Sequence, residues 1–545
     1  MFFKLNKLIY YAVTLTVISS ILINASNPYA GQQAQVRASS ALCDQEQSFC
    51  AARLLNVKQS LEQALGTQLT DNQVPQIALC ASGGGFRAMV ATLGWLEGSV
   101  ANVPSKRVPF ASSLMQHIYQ WFGWSDTSTP SAPVQLAPNG EIRNLCTYFA
   151  TLSGSTWALA GLDYSQMSAS QYLVNIEQKI NTSFYTNFNM EDLVIELKKK
   201  EQYNQPISFI DIYGIVLAQK LLANLGTNTP SAIDIASYAN DANTTAQPLA
   251  IQTSIIGNDG DDYQWIEYTP YEVGSAYLNA FIPTWAFGRK FNNGSSVDFA
   301  PPQSLGFCMG TWGSAMSLDA QDFFRLVIDP DLGTISAANL EAKFGSIVAS
   351  GASILSDIEQ KFKQASAVHK DDPIADARIS PSQVFNWTLG MANAPMGTDQ
   401  TLTLVDGGID CNLPVFPLLR RGVDIIIILD ASAGTFGAEL HNAQQHAQKW
   451  GYPFPAIDYT TINQPCSVHW DKSNVNAPIV IYMPLIKSAN YNNGWDPWAA
   501  DFTSTYNFTY TPAQTQLLSG LTSYNMAQSM PKILSTIQQW VATRN

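Results

Sequence analysis

The chain has 545 residues, 46% hydrophobic and 13% charged, which supplies ample material for a large core; the charge fraction is about half the roughly 25% usual for globular proteins. Long disordered stretches are therefore not expected. A formal net charge of −13 argues against nucleic acid as a partner, because phosphate neutralisation needs clustered Lys and Arg, and against docking on anionic lipid by bulk charge.

The first 30 residues stand apart. Lys4 and Lys7 precede an apolar run from Leu8 to Ile23, followed by small residues at Ala25 and Ala30. This pattern predicts a secretory signal peptide over 1–30, cleaved after Ala25 or Ala30; an uncleaved anchor is the alternative, although the run is short for a membrane span of about 20 residues. Residues 31–545 are then read as one exported domain. The periodicity predicts a helix over Glu46–Leu65 and a short strand over Gln76–Cys80. Ser82-Gly83-Gly84-Gly85-Phe86-Arg87 follows, and helical spacing resumes at Met89, Val90, Leu93 and Leu96. Residues 101–141 hold five prolines around the aromatic piece Tyr119–Trp124 and read as a surface insertion. A strand over Leu145–Leu152 ends at Ser153-Gly154-Ser155.

Farther along, Lys198-Lys199-Lys200 reads as a solvated helix end, and Ile207–Leu222 as a helix opened by Ser208 and Asp211. Strands are expected over Leu249–Ile256, Gln264–Tyr268, Ile425–Leu429 and Ile479–Tyr482; the last two are continuous apolar runs of the buried parallel kind. Strands alternating with helices predict an α/β fold: a central, mostly parallel sheet covered by helices on both faces, with a helical cap region at about 312–400. Seven cysteines lie at 43, 50, 80, 146, 308, 411 and 466. Cys43 and Cys50 could close a small loop, and the odd count leaves at least one thiol free. No C-x-x-C pair or His-rich cluster appears, so no metal site and no cofactor are expected. Asp259-Gly260-Asp261-Asp262 reads as an acidic turn, lacking the closing Glu of a calcium loop. Beyond the leader, Asn-x-Ser/Thr sequons occur at Asn181, Asn243, Asn293, Asn386 and Asn507.

Three segments carry chemistry. Consecutive glycines between a strand and a helix let backbone amides converge near a helix N-terminus, where they can bind phosphate or an oxyanion; a tight turn is the plainer reading, and the Lys-Ser/Thr of a nucleotide loop is missing. Thr151-Leu152-Ser153-Gly154-Ser155-Thr156-Trp157 again runs strand to helix, which would expose a serine nucleophile above the sheet edge; alone, a Ser-Gly-Ser segment is a helix cap far more often than a nucleophile. Val405-Asp406-Gly407-Gly408 offers a carboxylate at a strand end that could serve as a base; taken alone, it reads better as the cap of its own turn.

In that order, these three segments resemble the catalytic domain of the cytosolic (group IV) phospholipase A2 family and its fungal phospholipase B (lysophospholipase) branch. Gln205-Pro206-Ile207-Ser208-Phe209, Trp265–Glu272, Met309–Ala315 and Tyr506-Asn507-Phe508 agree with it, extending the likeness over about residues 75–540. The resemblance implies a serine phospholipase A2 or lysophospholipase with a Ser–Asp dyad: Ser153 as nucleophile, Asp406 as base, the amides of Gly84 and Gly85 as oxyanion donors and Arg87 on the substrate phosphate. A Ser-His-Asp triad is the minority reading, since none of His117, His369, His441, His446 and His469 lies in a shared motif. The partner expected is phospholipid at a membrane or micelle surface, with no protein partner. An acyltransferase on the same scaffold and an inactive lipid-binding relative are the alternatives. Thr151 stands where the family usually has glycine, the spacing from Arg87 to Ser153 is long, and the stretch from Trp312 to Asp406 is short.

Overall fold

A computed structural model describes residues 27–100, 141–182, 189–225, 233–242, 244–257, 263–314, 382–505 and 507–544. Residues 1–26 of the leader, residues 101–140 of the inserted segment, the acidic run 259–262 and residues 315–381 of the cap region lie outside them.

The strands are β1 (Ile77–Ala81), β2 (Tyr148–Leu152), β3 (Leu249–Ile256), β4 (Gln264–Tyr268), β5 (Glu272–Ser275), β6 (Ala280–Pro283), the ribbon pair β7 (Phe291–Asn292) and β8 (Ser295–Ser296), then β9 (Ser382–Phe385), β10 (Thr401–Val405), β11 (Ile425–Asp430), β12 (Ser467–His469) and β13 (Ile479–Pro484). An eleven-stranded sheet runs in the order β12-β13-β11-β1-β2-β3-β4-β5-β6, with β10 joining β3 and β9 joining β10. The five middle strands, β13 to β3, are parallel, and the strands flanking them pair antiparallel. The α/β architecture read from the sequence is present, with its parallel part at the centre.

Alternation along the parallel strands divides the core. Ile77, Leu79, Ile425 and Ile427 pack on one face with the helices α2 (Gly85–Gly98), α3 (Gly154–Ser165) and α7 (Pro512–Ala542). Ala78, Cys80, Ile426 and Ile428 pack on the other with Leu440, Ala443 and Ala447 of α6 (Ala438–Lys449). Both faces are thus covered, which is why Ile425–Asp430 reads as an unbroken apolar run. Each such isoleucine contributes about 1.5–3 kcal/mol through burial. On the first face the approach is close: a Cβ at Gly94 would lie 2.3 Å from the Ser519 carbonyl oxygen of α7.

The helix α1 (Asp44–Leu65) matches its sequence signal within two residues, and α4 (Phe209–Leu222) opens on a capping box between Ser208 and Asp211 and packs closely on α5 (Leu305–Trp312). Three expectations are corrected. Leu145–Leu152 is not all strand: Ile142–Leu145 is a 3₁₀ turn, closed by the Cys146 amide on the Arg143 carbonyl, and β2 begins at Tyr148. Lys200 is not solvated, since it is buried, ion-paired with Asp211 and 3.7 Å from the Phe307 ring centroid. Cys43 and Cys50 are both free thiols. Cys43 caps α1 and Cys50 lies two turns along it; seven residues at helical rise separate them by about 10 Å, beyond the roughly 7 Å a disulfide spans. The Asn386 sequon is also unusable in the fold, because its side chain is buried and donates to the Met396 and Asp399 carbonyls.

Candidate active site

The sheet brings two chain ends together. Strand β2 runs parallel to β3 as far as Leu152 opposite Thr253. Beyond that point β10 takes β2's place beside β3, antiparallel, with Val405 opposite Ile255. Extending each register by one residue assigns Ser153 and Asp406 to the same partner, Ser254. The two strands therefore meet head to head over β3, at the carboxyl edge of the parallel strands, where open α/β sheets place ligands.

Ser153 is the N-cap of α3, with φ 51° and ψ −124°. Positive φ in a non-glycine residue is strained by about 1–3 kcal/mol and persists only where the surroundings enforce it. Here the enforcement is close packing. A Cβ at Gly83 would lie 2.8 Å from the Ser153 Cβ, and one at Gly154 would lie 2.0 Å from the Gly85 carbonyl oxygen. The glycine loop and the serine turn thus touch along their backbones, with no room for a side chain. The Ser155 hydroxyl accepts from the Leu152 amide at 3.0 Å and donates to the Ala81 carbonyl at 2.8 Å, tying the turn to β1.

Gly84, at φ 135°, leads into α2, and Gly85 is its first residue. Among the described residues, the amides of Gly84 and Gly85 meet no hydrogen-bond acceptor. That is the condition of orphan donors at a helix start, which also carry the positive end of the helix dipole.

Asp406 is fully buried, and Ser153 is 4% exposed. The Asp406 amide donates to the Ser314 hydroxyl at 2.9 Å, and its Oδ1 accepts from the Gly408 amide at 2.8 Å. Burial and the charge of Asp406 hold the Tyr213 phenol well above its ordinary value, so Tyr213 stays protonated beside it. Asn412 bridges the loops: its Nδ2 donates to the Gly83 carbonyl at 3.2 Å and to the Ser432 hydroxyl at 2.7 Å. Gly83, Ser314 and Asn412 stand in the sequence as motif positions without an assigned role, and Tyr213 stands only near one; the contacts that give them their places are long-range.

A family model described as "Lysophospholipase catalytic domain" matches residues 139–448, a span that holds Ser153 and Asp406 and begins after the glycine loop. The chain belongs to that family. Cytosolic phospholipase A2 zeta of Mus musculus is 24% identical over 506 residues, covering 82% of this chain and 53% of that protein. Its Homo sapiens counterpart is 24% identical over 568 residues, covering 91% and 61%. The chain thus spans little more than half the length of these curated relatives. Among solved structures, human GIVD cytosolic phospholipase A2 superposes with a TM-score of 0.67 at 20% identity, covering 94% of this chain and 68% of that one. The same human protein in complex with methyl gamma-linolenyl fluorophosphonate gives 0.63 at 21% identity. These superpositions show that the family's α/β fold is present here.

In this lysophospholipase-family chain Arg87 is almost wholly buried. Its Nε donates to the Ala431 carbonyl at 2.8 Å, and its Nη1 to the Thr503 carbonyl at 2.8 Å and the Thr505 hydroxyl at 2.9 Å. Burial lowers it to about 10, which leaves it charged at neutral pH. A Cβ at Gly84 would lie 2.5 Å from Nη2, so that edge of the guanidinium faces the glycine loop. The histidines described are committed elsewhere. His446 places Nε2 2.8 Å from Asp410 and Nδ1 2.8 Å from the Asn442 carbonyl. His469 bonds Ser467 and the Asp458 amide, and His441 bonds Tyr459 and Gln445. His117 and His369 lie outside the described residues.

Proposed function

We propose that the chain is a phospholipase A2 or lysophospholipase that cleaves acyl esters of glycerophospholipids with Ser153 and Asp406, residues 31–545 forming its catalytic domain. The observation that carries this reading is the head-to-head meeting of β2 and β10 opposite Ser254, with a strained Ser153 at one end and a buried carboxylate at the other. Ser153 Oγ would attack the ester carbonyl while Asp406 takes its proton. The oxyanion would be held by the unmet amides of Gly84 and Gly85. Collapse breaks the acyl–oxygen bond, the leaving alcohol takes the proton back from Asp406, and water then releases the fatty acid from the serine by the same route. Arg87 would meet the substrate phosphate through Nη2 alone, since its other edge is occupied; this is a narrower role than the two-point fork of a free guanidinium. Both nitrogens of each described histidine are engaged away from Ser153, which favours the dyad over a triad.

Release of fatty acid from phosphatidylcholine and lysophosphatidylcholine tests this reading. Ser153→Ala and Asp406→Asn should each lower turnover by about 10⁴-fold or more, and a fluorophosphonate probe should label Ser153 in the native protein. Full turnover by folded Ser153→Ala would overturn it. Export is part of the proposal, although the curated relatives are named as cytosolic. Sequencing the N-terminus of the protein from culture medium should find a chain starting after Ala25 or Ala30, and retention in the cytosol with residues 1–30 intact would reject export.

A further inference from the structure

Beside the glycine loop, the chain leaving β11 encloses a cavity of about 80 Å³ that the proposed dyad chemistry does not use. A site needs about 10–15 Å³ on this measure for each water, so the space takes a group of several heavy atoms. Two carboxylates, Asp430 and Glu439, line it, together with the aromatic rings of Phe436, Tyr482 and Trp498. Asp430 accepts from the Tyr482 hydroxyl at 2.7 Å and the Ser432 amide at 2.9 Å, and Glu439 accepts from the Asn412 amide at 2.7 Å. Among the described residues neither carboxylate forms an ion pair. Burial raises the Glu439 carboxyl above its ordinary value, against the Asn412 hydrogen bond and with a smaller push from the charge of Asp430. Phe436 and Trp498 are each 41% exposed, large apolar rings kept facing solvent around an acidic recess.

Aromatic faces with carboxylates behind them recognise ammonium groups, quaternary ones above all, by cation–π attraction. The recess also adjoins Arg87, the side chain proposed for the substrate phosphate. Trp498 lines it while Arg87 lies 5.1 Å from the Trp498 ring centroid, and Arg87 bonds the carbonyl of Ala431, the residue next to Asp430. In a phospholipid with a choline or ethanolamine headgroup, two carbons separate the phosphate oxygen from the nitrogen. A phosphate near Arg87 would set that nitrogen toward the recess.

We propose that this recess is a headgroup subsite for the ammonium of choline or ethanolamine phospholipids. The inference rests on the phospholipase reading and specifies its substrate class.

The full chain is assayed on lysophosphatidylcholine, lysophosphatidylglycerol and a p-nitrophenyl acyl ester, as wild type, Phe436→Ala and Phe436→Leu. Wild type should favour the choline lipid, and each variant should lose about tenfold in kcat/KM on it, with the glycerol lipid and the p-nitrophenyl ester within about twofold of wild type. Tetramethylammonium should inhibit wild type against the choline lipid and leave Phe436→Ala unaffected; inhibition by free tetramethylammonium without any headgroup preference would assign the recess to soluble ammonium compounds and overturn the lipid subsite. Equal losses on all three substrates, or no loss on any, would also overturn it. Hydrolysis of the p-nitrophenyl ester that survives Ser153→Ala would instead reject the phospholipase reading, so the two failures are distinguishable.

Discussion

Gly83→Ala tests the packing that we hold responsible for the site. Gly83 has no positive φ, so the substitution changes space alone. Its new Cβ would lie 2.4 Å from Asn412 Oδ1, 2.8 Å from Leu152 Cδ2 and 2.8 Å from Ser153 Cβ. Ordinary contacts begin near 3.4 Å, so something must move by about 0.6–1 Å, and the candidates differ in freedom. The Leu152 methyl is the end of a flexible side chain. Asn412 is pinned by Gly83 and Ser432 through Nδ2 and by Glu439 through its amide. Ser153 is fixed between β2 and α3. Overpacking of this kind costs about 1–3 kcal/mol of stability, and a displacement near 1 Å at a reacting group lowers turnover by about 10²-fold. Fatty-acid release from a lysophospholipid reports the second effect, and urea unfolding the first. Gly422→Ala is the control: Gly422 has φ 62° in open space, so alanine there costs about 1 kcal/mol in backbone strain and should leave kcat/KM unchanged. If folded Gly83→Ala keeps kcat/KM within about threefold of wild type, the glycine loop does not press on the nucleophile and the argument fails.

Glu267 is buried between Arg420 and Arg421; burial pushes its carboxyl up, but the two guanidinium charges override this and bring it from 4.5 to about 2. A depressed carboxyl contributes stability above its unfolded value and loses it as pH falls through the folded one. Native protein should therefore lose about 3 kcal/mol between pH 4.5 and 2, and Glu267→Gln should lack that slope in urea titrations at stepped pH. His446 is raised above 6.5 by its hydrogen bond to Asp410, against burial and the Lys449 charge. Its contribution is complete below pH 6.5 and disappears as pH rises through the folded value, so His446→Gln should flatten stability above pH 6.5 by at most about 1 kcal/mol, with kcat little changed at neutral pH. The seven cysteines are all free and buried, so dithiothreitol should not shift the melting temperature, and thiol titration in denaturant should count seven; a lower count would mean a disulfide forms.

Sequence periodicity located Leu249–Ile256 and Gln264–Tyr268 at their observed ends, because apolar strands buried within a sheet announce themselves without reference to partners. It did not show β5, β6 or β9, and of β10 the sequence showed only the end, at Asp406. Thr401–Val405 becomes a strand by pairing with β3 and β9, contacts some 150 residues away in one case. Nor did it show α7, whose stripe is interrupted by Pro531 and whose register is set by the backbone of Gly94 and Gly98. At the site, Ser153, Asp406, Gly84 and Gly85 were readable as motif positions. The burial of Arg87 was not: an arginine in a motif reads as available, while the carbonyls of Ala431 and Thr503 that engage it come from remote loops.

Thr151 shows most clearly where a motif and its physical reason part. Hydrolase turns carry glycine two residues before the serine when neighbouring backbone comes close there. In this chain Thr151 lies within β2, paired with Ala81 and Gln252, its carbonyl accepting the Thr253 hydroxyl at 2.9 Å. Nothing about that position asks for a missing side chain. The close approach has moved by three residues, to Gly154 against the Gly85 backbone. If that is the true constraint, Thr151→Gly should gain no activity and should lose about 1 kcal/mol as strand glycine does. Gly154→Ala should abolish activity, since its Cβ would press a backbone carbonyl that cannot rotate away. A more active Thr151→Gly, measured as kcat/KM on a lysophospholipid, would return the constraint to the outer position and undo this account of the turn.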